Sequence, residues 1–299
     1  MSQQSWVIHK FGGTSVGSAQ CMKNCLDIIK TQCETNRVAV VVSAMGGKPK
    51  VTDLLLELVH AAAIRNNEDI SINMSQIRDK HQACIAELLG LNNEVSRNIL
   101  NQIESDLKDI SDLLRAVMLM KTAHEQILEL VSGYGEVWSA SIMTALLNKE
   151  GLNFKFLNAR DVLFINEDTK VLWEESNRKL TEFICNIDTE YQNNTNNQVI
   201  ESSGTEKINH ILPHLLITGY IASTINGIAT TLKRDGSDYS ASIFGKLLNS
   251  KSITIWTDVS GVYSADPRRV PEAQILPEVS YTEAVELAYF GAKVIHPKT

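Results

Sequence analysis

Lys10 lies two residues before a pair of glycines, and two hydroxyl side chains follow, in the segment Lys10-Phe11-Gly12-Gly13-Thr14-Ser15. Backbone N–H groups at glycine can approach an anion closely because no Cβ is in the way, and a lysine ammonium can neutralise a transferring phosphoryl group. The N-terminus of a helix predicted at residues 18–30 favours an anion at the same place. The segment predicts a phosphate site. An ordinary strand-to-helix turn has the same composition, and the spacing matches neither the P-loop lysine motif nor the dinucleotide fingerprint.

A second group of charged and small polar side chains lies at residues 231–240, between a predicted strand and a predicted helix. The Arg234 guanidinium can bind a carboxylate through two parallel hydrogen bonds, and Ser237 can donate another. Asp238 can pair with a lysine such as Lys10 and hold it in place. The alternative is that Asp238 caps the helix and Arg234 is a solvated loop residue.

A third polar segment follows the strand predicted at residues 253–257. It contains Tyr263, two aspartates and Arg268, and such a loop can hold an adenine or ribose edge while the arginine reaches phosphates. An Asp-Pro turn with a structural tyrosine is the alternative. Further basic residues, among them Lys48, Lys50 and Lys233, also lie in or beside loops, where a small anionic substrate would be met.

The elements that must position these residues alternate between strands and helices. Residues 38–42 form an apolar run typical of a strand buried on both faces, and a glycine loop follows it. Further strands are predicted at 154–157, 215–221, 228–232 and 253–257, and helices at 133–147, 238–248 and 282–290, with a helical block between Thr52 and about Leu130. Residues 189–205 are rich in Asn, Gln, Ser and Thr, which favours an exposed loop or linker. The pattern predicts an α/β fold whose ligands bind at the carboxyl ends of the strands.

Composition excludes several classes of protein. The chain has 299 residues and 43% hydrophobic residues, enough for a sizeable core, and its net charge of −7 opposes nonspecific nucleic-acid binding. No apolar run approaches about 18 residues and no secretory leader is evident, so we expect a cytosolic protein that does not enter membranes. The five cysteines contain no C-x-x-C pair, which indicates neither a disulfide framework nor a zinc site.

Taken together, six segments occur in an order and character that resemble the aspartate kinases of the amino-acid kinase superfamily. They are residues 10–16, 40–43, 133–136, 231–241, 256–268 and 291–297. The forms at 232–238 and 255–258 are most similar to the kinase half of bifunctional aspartate kinase/homoserine dehydrogenases, particularly the plant type. The resemblance implies phosphoryl transfer from Mg-ATP to the β-carboxylate of L-aspartate, the first step toward lysine, threonine and methionine. It also implies a three-layer α/β/α sandwich, with a mainly parallel sheet of about eight strands and a helical insertion.

The resemblance also implies residue roles. Lys10 would stabilise the transferring phosphoryl group, and Asp238 would orient that lysine. On the aspartate side, Arg234 would bind a substrate carboxylate and Glu136 the α-ammonium, while Ser43, Thr52 and Ser237 would line the site. The residues expected to contact ATP, besides Lys10, are Gly12, Gly13, Thr14, Ser15, Thr257, Asp258, Tyr263, Asp266, Arg268, Lys293 and Val294. Magnesium would be held chiefly by ATP phosphates and water, so no metal ligand is assigned.

By the same resemblance, the chain is one catalytic domain that allows a homodimer. An aspartate-binding lobe would span about 1–210, including the helical block at 52–130, and an ATP-binding lobe about 211–299. No regulatory or dehydrogenase domain is expected.

Lys233 and Asp235 differ from many bacterial members of the family. Two alternatives are a superfamily kinase for glutamate, acetylglutamate, carbamate or a nucleoside monophosphate, and a truncated, weakly active or non-catalytic regulatory module.

Overall fold

A parallel β-sheet forms the centre of the structure, and helices cover both of its faces. The computed structural model describes residues 5–201, 212–233, 236–257, 259, 261–265 and 269–290. The elements in chain order are β1 (Trp6–Phe11), α1 (Ala19–Cys33), β2 (Arg37–Val42), α2 (Val51–Ala63), α3 (Asn67–Leu89), α4 (Glu94–Met120), α5 (Glu125–Ser132), α6 (Tyr134–Lys149), β3 (Phe154–Leu157), a 3-10 turn (Ala159–Asp161), α7 (Trp173–Glu201), β4 (His214–Thr218), β5 (Ile221–Ser223), β6 (Ala229–Thr231), α8 (Gly236–Leu247), β7 (Ile253–Trp256) and α9 (Tyr281–Phe290).

Within the described residues, the main sheet has five parallel strands in the order β3-β4-β2-β1-β7, and β5 and β6 form a separate antiparallel pair. The register of β1 against β2 runs from Trp6 opposite Arg37 to Phe11 opposite Val42, so the two strands end level with each other. The predicted α/β class and mainly parallel sheet are confirmed, whereas the expected eight strands are not. The carboxyl ends of the five strands meet at one edge, where ligands of such sheets bind. We call it the carboxyl edge.

Alternate residues of β2 pack into two different cores because successive side chains of a strand point to opposite faces. Val38, Val40 and Val42 pack with residues of α1, α2, α3, α4 and α6. Ala39 and Val41 pack with residues of α7 and α8 on the other face. All six residues of β2 are buried, which explains the continuous apolar run in the sequence. The layers are therefore helix, sheet and helix, as expected.

The predicted helical block is present as α2 to α5. Side chains cap the N-termini of α3 and α4. The Asp69 amide donates to Asn66 at 3.2 Å, and the Ser96 amide donates to Asn93 at 2.8 Å. The block is joined to α6 by a buried hydrogen bond in which Trp138 Nε1 donates to the Asp106 carboxylate of α4 at 2.7 Å. This contact helps to fix α6, whose first turn reaches the carboxyl edge.

The prediction of an exposed loop over residues 189–205 is wrong as far as Glu201, because α7 is continuous through that residue. Its earlier turns are anchored by the buried side chains of Leu180 and Ile187 and by two hydrogen-bonded contacts between Arg37 and Asp188. Once a helix is nucleated, adding Asn, Gln or Thr costs only tenths of a kcal/mol per residue, about 0.7 at most. Thr189 and Glu190 are exposed, as expected. Residues 202–205 lie outside the described residues.

The other predicted elements are present with small shifts of their ends. The strand predicted at 215–221 is divided into β4 and β5 at Gly219 and Tyr220, where Tyr220 has a φ of 67°. The remaining predictions correspond to β3, β6, β7, α8 and α9. In the part of the chain that the structure describes, no helix combines the length and the apolar character needed to span a bilayer.

The Asp106–Trp138 contact makes a stability prediction. Replacing Asp106 with Ala leaves the buried Trp138 N–H without its acceptor, and an unsatisfied buried donor costs about 2 kcal/mol. We expect D106A to lower the free energy of unfolding in urea by about that amount. The matched control is D109A, since Asp109 lies on the same helix and is exposed. Equal stability of the two variants would contradict the importance of this hydrogen bond.

Candidate active site

Lys10 and Asp238 form an ion pair at the carboxyl edge. Side chains alternate along β1, so Lys10 shares the face of Ile8, which packs against α8. Asp238 lies in the first turn of α8, and its Oδ1 is 2.6 Å from Lys10 Nζ. The two side chains are 11% and 15% exposed, so the pair is largely shielded from water. The pairing that the sequence indicated is present, and it holds the ammonium in one place.

The loops that follow β1 and β2 touch backbone to backbone. We call residues 12–18 the β1 loop and residues 43–50 the β2 loop. The Gly46 amide donates to the Gly13 carbonyl at 2.8 Å. A Cβ on Gly46 would lie 2.5 Å from the carbonyl atoms of Gly13, so no side chain fits there. A Cβ on Gly12 would lie 3.3 Å from Lys10 Nζ, which places the ammonium directly beside the β1 loop.

Part of the hydrogen-bonding capacity of the β1 loop is used inside the loop. The Ser15 amide donates to the Gly12 carbonyl at 2.9 Å, and the Val16 amide donates to the same carbonyl at 3.2 Å. Thr14 is exposed and Ser15 is half-buried. The Ser15 amide already has a partner within the loop. An anion would therefore be met by the hydroxyl groups of Thr14 and Ser15 rather than by the Ser15 amide.

Ser43 and Ser237 come together from the β2 loop and the start of α8. Ser43 Oγ donates to Ser237 Oγ at 2.9 Å. Gly219, which sequence reasoning missed, makes this approach possible: a Cβ there would lie 2.9 Å from both Ser237 Cβ and the Val42 carbonyl oxygen. A glycine inside the strand predicted at residues 215–221 was the available signal, since glycine within a strand marks a bend or a close approach. The contact joins β2, β4 and α8 at the carboxyl edge.

Glu136 is a buried carboxylate in the first turn of α6. The Ala44 amide of the β2 loop donates to it, while Oε2 has no hydrogen-bond partner among the described residues. Burial raises the pKa of Glu136 to about 8, against the lowering effects of the Ala44 hydrogen bond and the Arg160 charge. A buried carboxylate with a free oxygen can accept a hydrogen bond from a ligand, and a cationic ligand offsets its desolvation.

Arg160 is a half-buried charge that sequence reasoning missed. It lies in the turn after β3, and its Nη2 donates to the Leu130 carbonyl at 3.2 Å. Gly133 makes room for it, because a Cβ there would lie 2.2 Å from Arg160 Nη2. Burial lowers the pKa of Arg160, and the nearby Tyr134 and Glu136 oppose that shift. Its position after a predicted strand was the available signal.

Lys233 is held by α5. Its Nζ lies 2.6 Å from Glu125 Oε1 and also pairs with Glu129. Glu129 accepts a further hydrogen bond from Thr230 Oγ1 at 2.9 Å. The Lys233 ammonium therefore ties β6 and the following turn to the helical block, and its charge is compensated within the protein.

The remaining predicted site residues are distributed unevenly. Thr52 is half-buried in the first turn of α2, directly after the β2 loop; Thr257 is exposed at the end of β7. Tyr263 is half-buried and forms an isolated bridge with Ile275. The predicted residues that lie outside the described residues are Arg234, Asp258, Asp266, Arg268, Lys293 and Val294. Among the described residues there is no group of three or more His, Cys, Asp or Glu side chains able to hold a metal ion.

A parallel sheet whose carboxyl edge carries two glycine loops, a paired lysine and a buried carboxylate defines an α/β protein suited to small charged ligands. The comparison with protein families specifies the family. The chain belongs to the amino acid kinase family, whose model matches residues 5–299.

Relatives and solved structures extend this assignment. The chain is 38% identical over 300 residues to the chloroplastic bifunctional aspartokinase/homoserine dehydrogenase 2 of Arabidopsis thaliana, covering 99% of this chain and 30% of that protein. It is 29% identical to the aspartokinase of Candida albicans, covering 98% of this chain and 52% of that protein. It is similar to a structure of E. coli aspartokinase III in complex with aspartate and ADP, with a TM-score of 0.78 and 27% identity. The match covers 98% of this chain and 58% of that chain. The chain thus spans between 30% and 58% of the length of these proteins.

Glu136 makes a pH prediction. The unfolded chain loses the Glu136 proton near pH 4.5, whereas the folded protein keeps it up to about pH 8. The native state therefore binds more protons between these values, and its stability falls as pH rises, by up to about 1.4 kcal/mol per pH unit. E136Q lacks this contribution. We expect the free energy of unfolding of the wild type to fall relative to E136Q from pH 5 to pH 8 in urea denaturation.

The control for this prediction is E34Q, which makes the same acid-to-amide change at an exposed position. Its free energy of unfolding should follow that of the wild type across the same pH range. Parallel stability curves for the wild type and E136Q would show that Glu136 is ionised in the folded protein, and would contradict the burial argument.

Proposed function

We propose that this chain is an aspartate kinase catalytic unit, which transfers the γ-phosphoryl group of ATP to the β-carboxylate of L-aspartate and gives 4-phospho-L-aspartate. The observation that carries the proposal is the Lys10 ammonium, held by Asp238 at 2.6 Å and placed beside the glycines of the β1 loop. The aspartokinase names of the relatives support the substrate, as does the aspartate and ADP complex of the E. coli protein.

The chemistry requires little more than positioning and charge compensation. A carboxylate is already an adequate nucleophile, so no general base is needed, and the main obstacle is repulsion between two anions. Lys10 neutralises charge on the phosphoryl group as it passes to the acceptor. Asp238 keeps the ammonium from moving, because the pair is largely shielded from water.

The acceptor site would be built around Glu136. Its buried carboxylate with a free Oε2 offers the α-ammonium of aspartate both a hydrogen bond and an opposite charge. Arg234 would bind the α-carboxylate. The Ser43–Ser237 hydroxyl pair lies between the β2 loop and α8 and can hydrogen-bond to the acceptor, with Thr52 close by in sequence at the start of α2. Glu136 and Arg234 would thus match the ammonium and the carboxylate of the α-amino-acid group.

The donor site would follow the β1 loop and the segments after β7. Gly12, Gly13, Thr14 and Ser15 would hold phosphate. The further ATP contacts we propose are Thr257, Asp258, Tyr263, Asp266, Arg268, Lys293 and Val294. Magnesium, which offsets phosphate charge, would arrive with the nucleotide and keep phosphate and water ligands, since no acidic cluster of the described residues offers a protein cage. The sheet of about eight strands and the two lobes, divided near residue 210, belong to the same proposal.

The test is a coupled ADP-release assay with Mg-ATP and each of L-aspartate, L-glutamate, N-acetylglutamate and UMP. Hydroxylamine in a parallel reaction traps an acyl phosphate as the hydroxamate. We expect aspartate-dependent ADP release with a trapped hydroxamate. In K10A, kcat should fall by about 100-fold or more because an aligned charge is lost from the transition state.

K30A is the matched control, because Lys30 forms an exposed ion pair with Glu150 at 3.1 Å, outside the carboxyl edge. It should retain wild-type turnover. Turnover with another acceptor would change the substrate class, and ATP binding without turnover of any acceptor would contradict the kinase proposal. Full activity of K10A would contradict the role of Lys10.

A further inference from the structure

Lys80 connects the helical block to the carboxyl edge. It lies on α3, outside every motif that the sequence singled out, and its side chain is half-buried. Its Nζ donates to the Gly46 carbonyl at 2.5 Å and to the Pro49 carbonyl at 2.7 Å, both in the β2 loop. One ammonium thus links two carbonyls three residues apart and closes the loop against α3.

The β2 loop needs such a link. Gly46 and Gly47 have no side chains to pack, and Gly47 has a φ of 91°, so the segment has high conformational freedom when it is not held. Gly46 is buried, and a buried carbonyl without a donor is costly. Burial lowers the pKa of Lys80, and a smaller Coulombic effect of Cys84 opposes that shift. The ammonium remains there because the two carbonyls receive it.

The loop that Lys80 holds contacts two described parts of the candidate acceptor site, and also the β1 loop. Its Ser43 hydroxyl donates to Ser237, its Ala44 amide donates to the Glu136 carboxylate, and its Gly46 amide donates to Gly13 of the β1 loop. A displacement of this loop would therefore move the groups on both sides of the reacting atoms. Misplacement by about 1 Å can cost about 100-fold in rate.

We propose that Lys80 is a positioning residue for the acceptor amino acid: its ammonium fixes the β2 loop, and through it the Ser43 hydroxyl and the Ala44 amide, in the arrangement that receives the substrate. The proposal rests on the proposed function for the identity of the acceptor. The proposal also assigns a function to the helical block, because Lys80 is part of α3 and both of its acceptors are in the β2 loop.

The first measurement is amide hydrogen exchange over residues 43–51, which needs no activity. The amides to follow are those of Ala44, Gly46 and Val51, the last of which donates to the Met45 carbonyl at 3.0 Å. In K80M we expect exchange at these amides to be about 10-fold faster or more, because local opening becomes easier. K80R keeps a cation with several donors and should retain most of the protection.

The matched control is K23M, because Lys23 also joins another element to α3, through an exposed ion pair with Glu87 at 2.9 Å. It should leave exchange over residues 43–51 unchanged. Melting temperatures of all variants separate local loosening from global unfolding. If K80M does not fold, K80R and K80Q take its place, and they should rank as wild type, then K80R, then K80Q in protection.

The second measurement is steady-state kinetics. In K80M the KM for L-aspartate should rise by about 10-fold, with a smaller change in the KM for ATP, and K80R should restore most of the loss. Unchanged exchange in K80M, or faster exchange with an unchanged KM for aspartate, would overturn the proposal. A wild-type protein that does not turn over aspartate would count against the proposed function alone, because the exchange experiment tests the link to Lys80 independently.

Discussion

The contact between Gly13 and Gly46 is the constraint on which the carboxyl edge depends. Two loops from neighbouring strands approach until one amide donates to the other loop's carbonyl at 2.8 Å, and the space left there excludes any Cβ. Because β1 and β2 end level with each other, this contact fixes the direction in which both loops leave the sheet. Lys10 lies beside one loop, and Ser43 begins the other. The close approach therefore places a cation and a hydroxyl on the same side of the sheet.

The charged side chains of the site are compensated within the protein, so their burial does not depend on a bound ligand. Lys10 and Asp238 cancel each other, and Lys233 is compensated by Glu125 and Glu129. Glu136 avoids an uncompensated charge by keeping its proton, which its raised pKa of about 8 permits at neutral pH. A zwitterionic amino acid would change this balance, since its ammonium favours the ionised form of the carboxyl group. Under the proposed function, ligand recognition and protonation would thereby be linked at Glu136.

Structural features could be predicted from the sequence where a local residue pattern directly indicates them. The apolar run of β2, its glycine loop and the pairing of Lys10 with Asp238 could each be predicted, because buried strands and charged strand ends have distinct patterns. Residues that act through long-range contacts could not. Lys80 is one of many lysines on helices, and only the packing of α3 against the β2 loop brings its ammonium to two carbonyls. The extension of α7 through a polar segment likewise could not be predicted, because it depends on the buried side chains and the Arg37–Asp188 contact that hold the earlier turns of the helix.

The most direct test of this account is calorimetric titration of L-aspartate at pH 7 in buffers of different ionisation enthalpy. If the buried Glu136 carboxyl group is protonated in the free protein and receives the substrate ammonium, binding to the wild type releases close to one proton. E136Q should release none and bind more weakly. Aspartate binding to the wild type without proton release, together with equal affinity in E136Q, would contradict the assignment of Glu136 as the ammonium site.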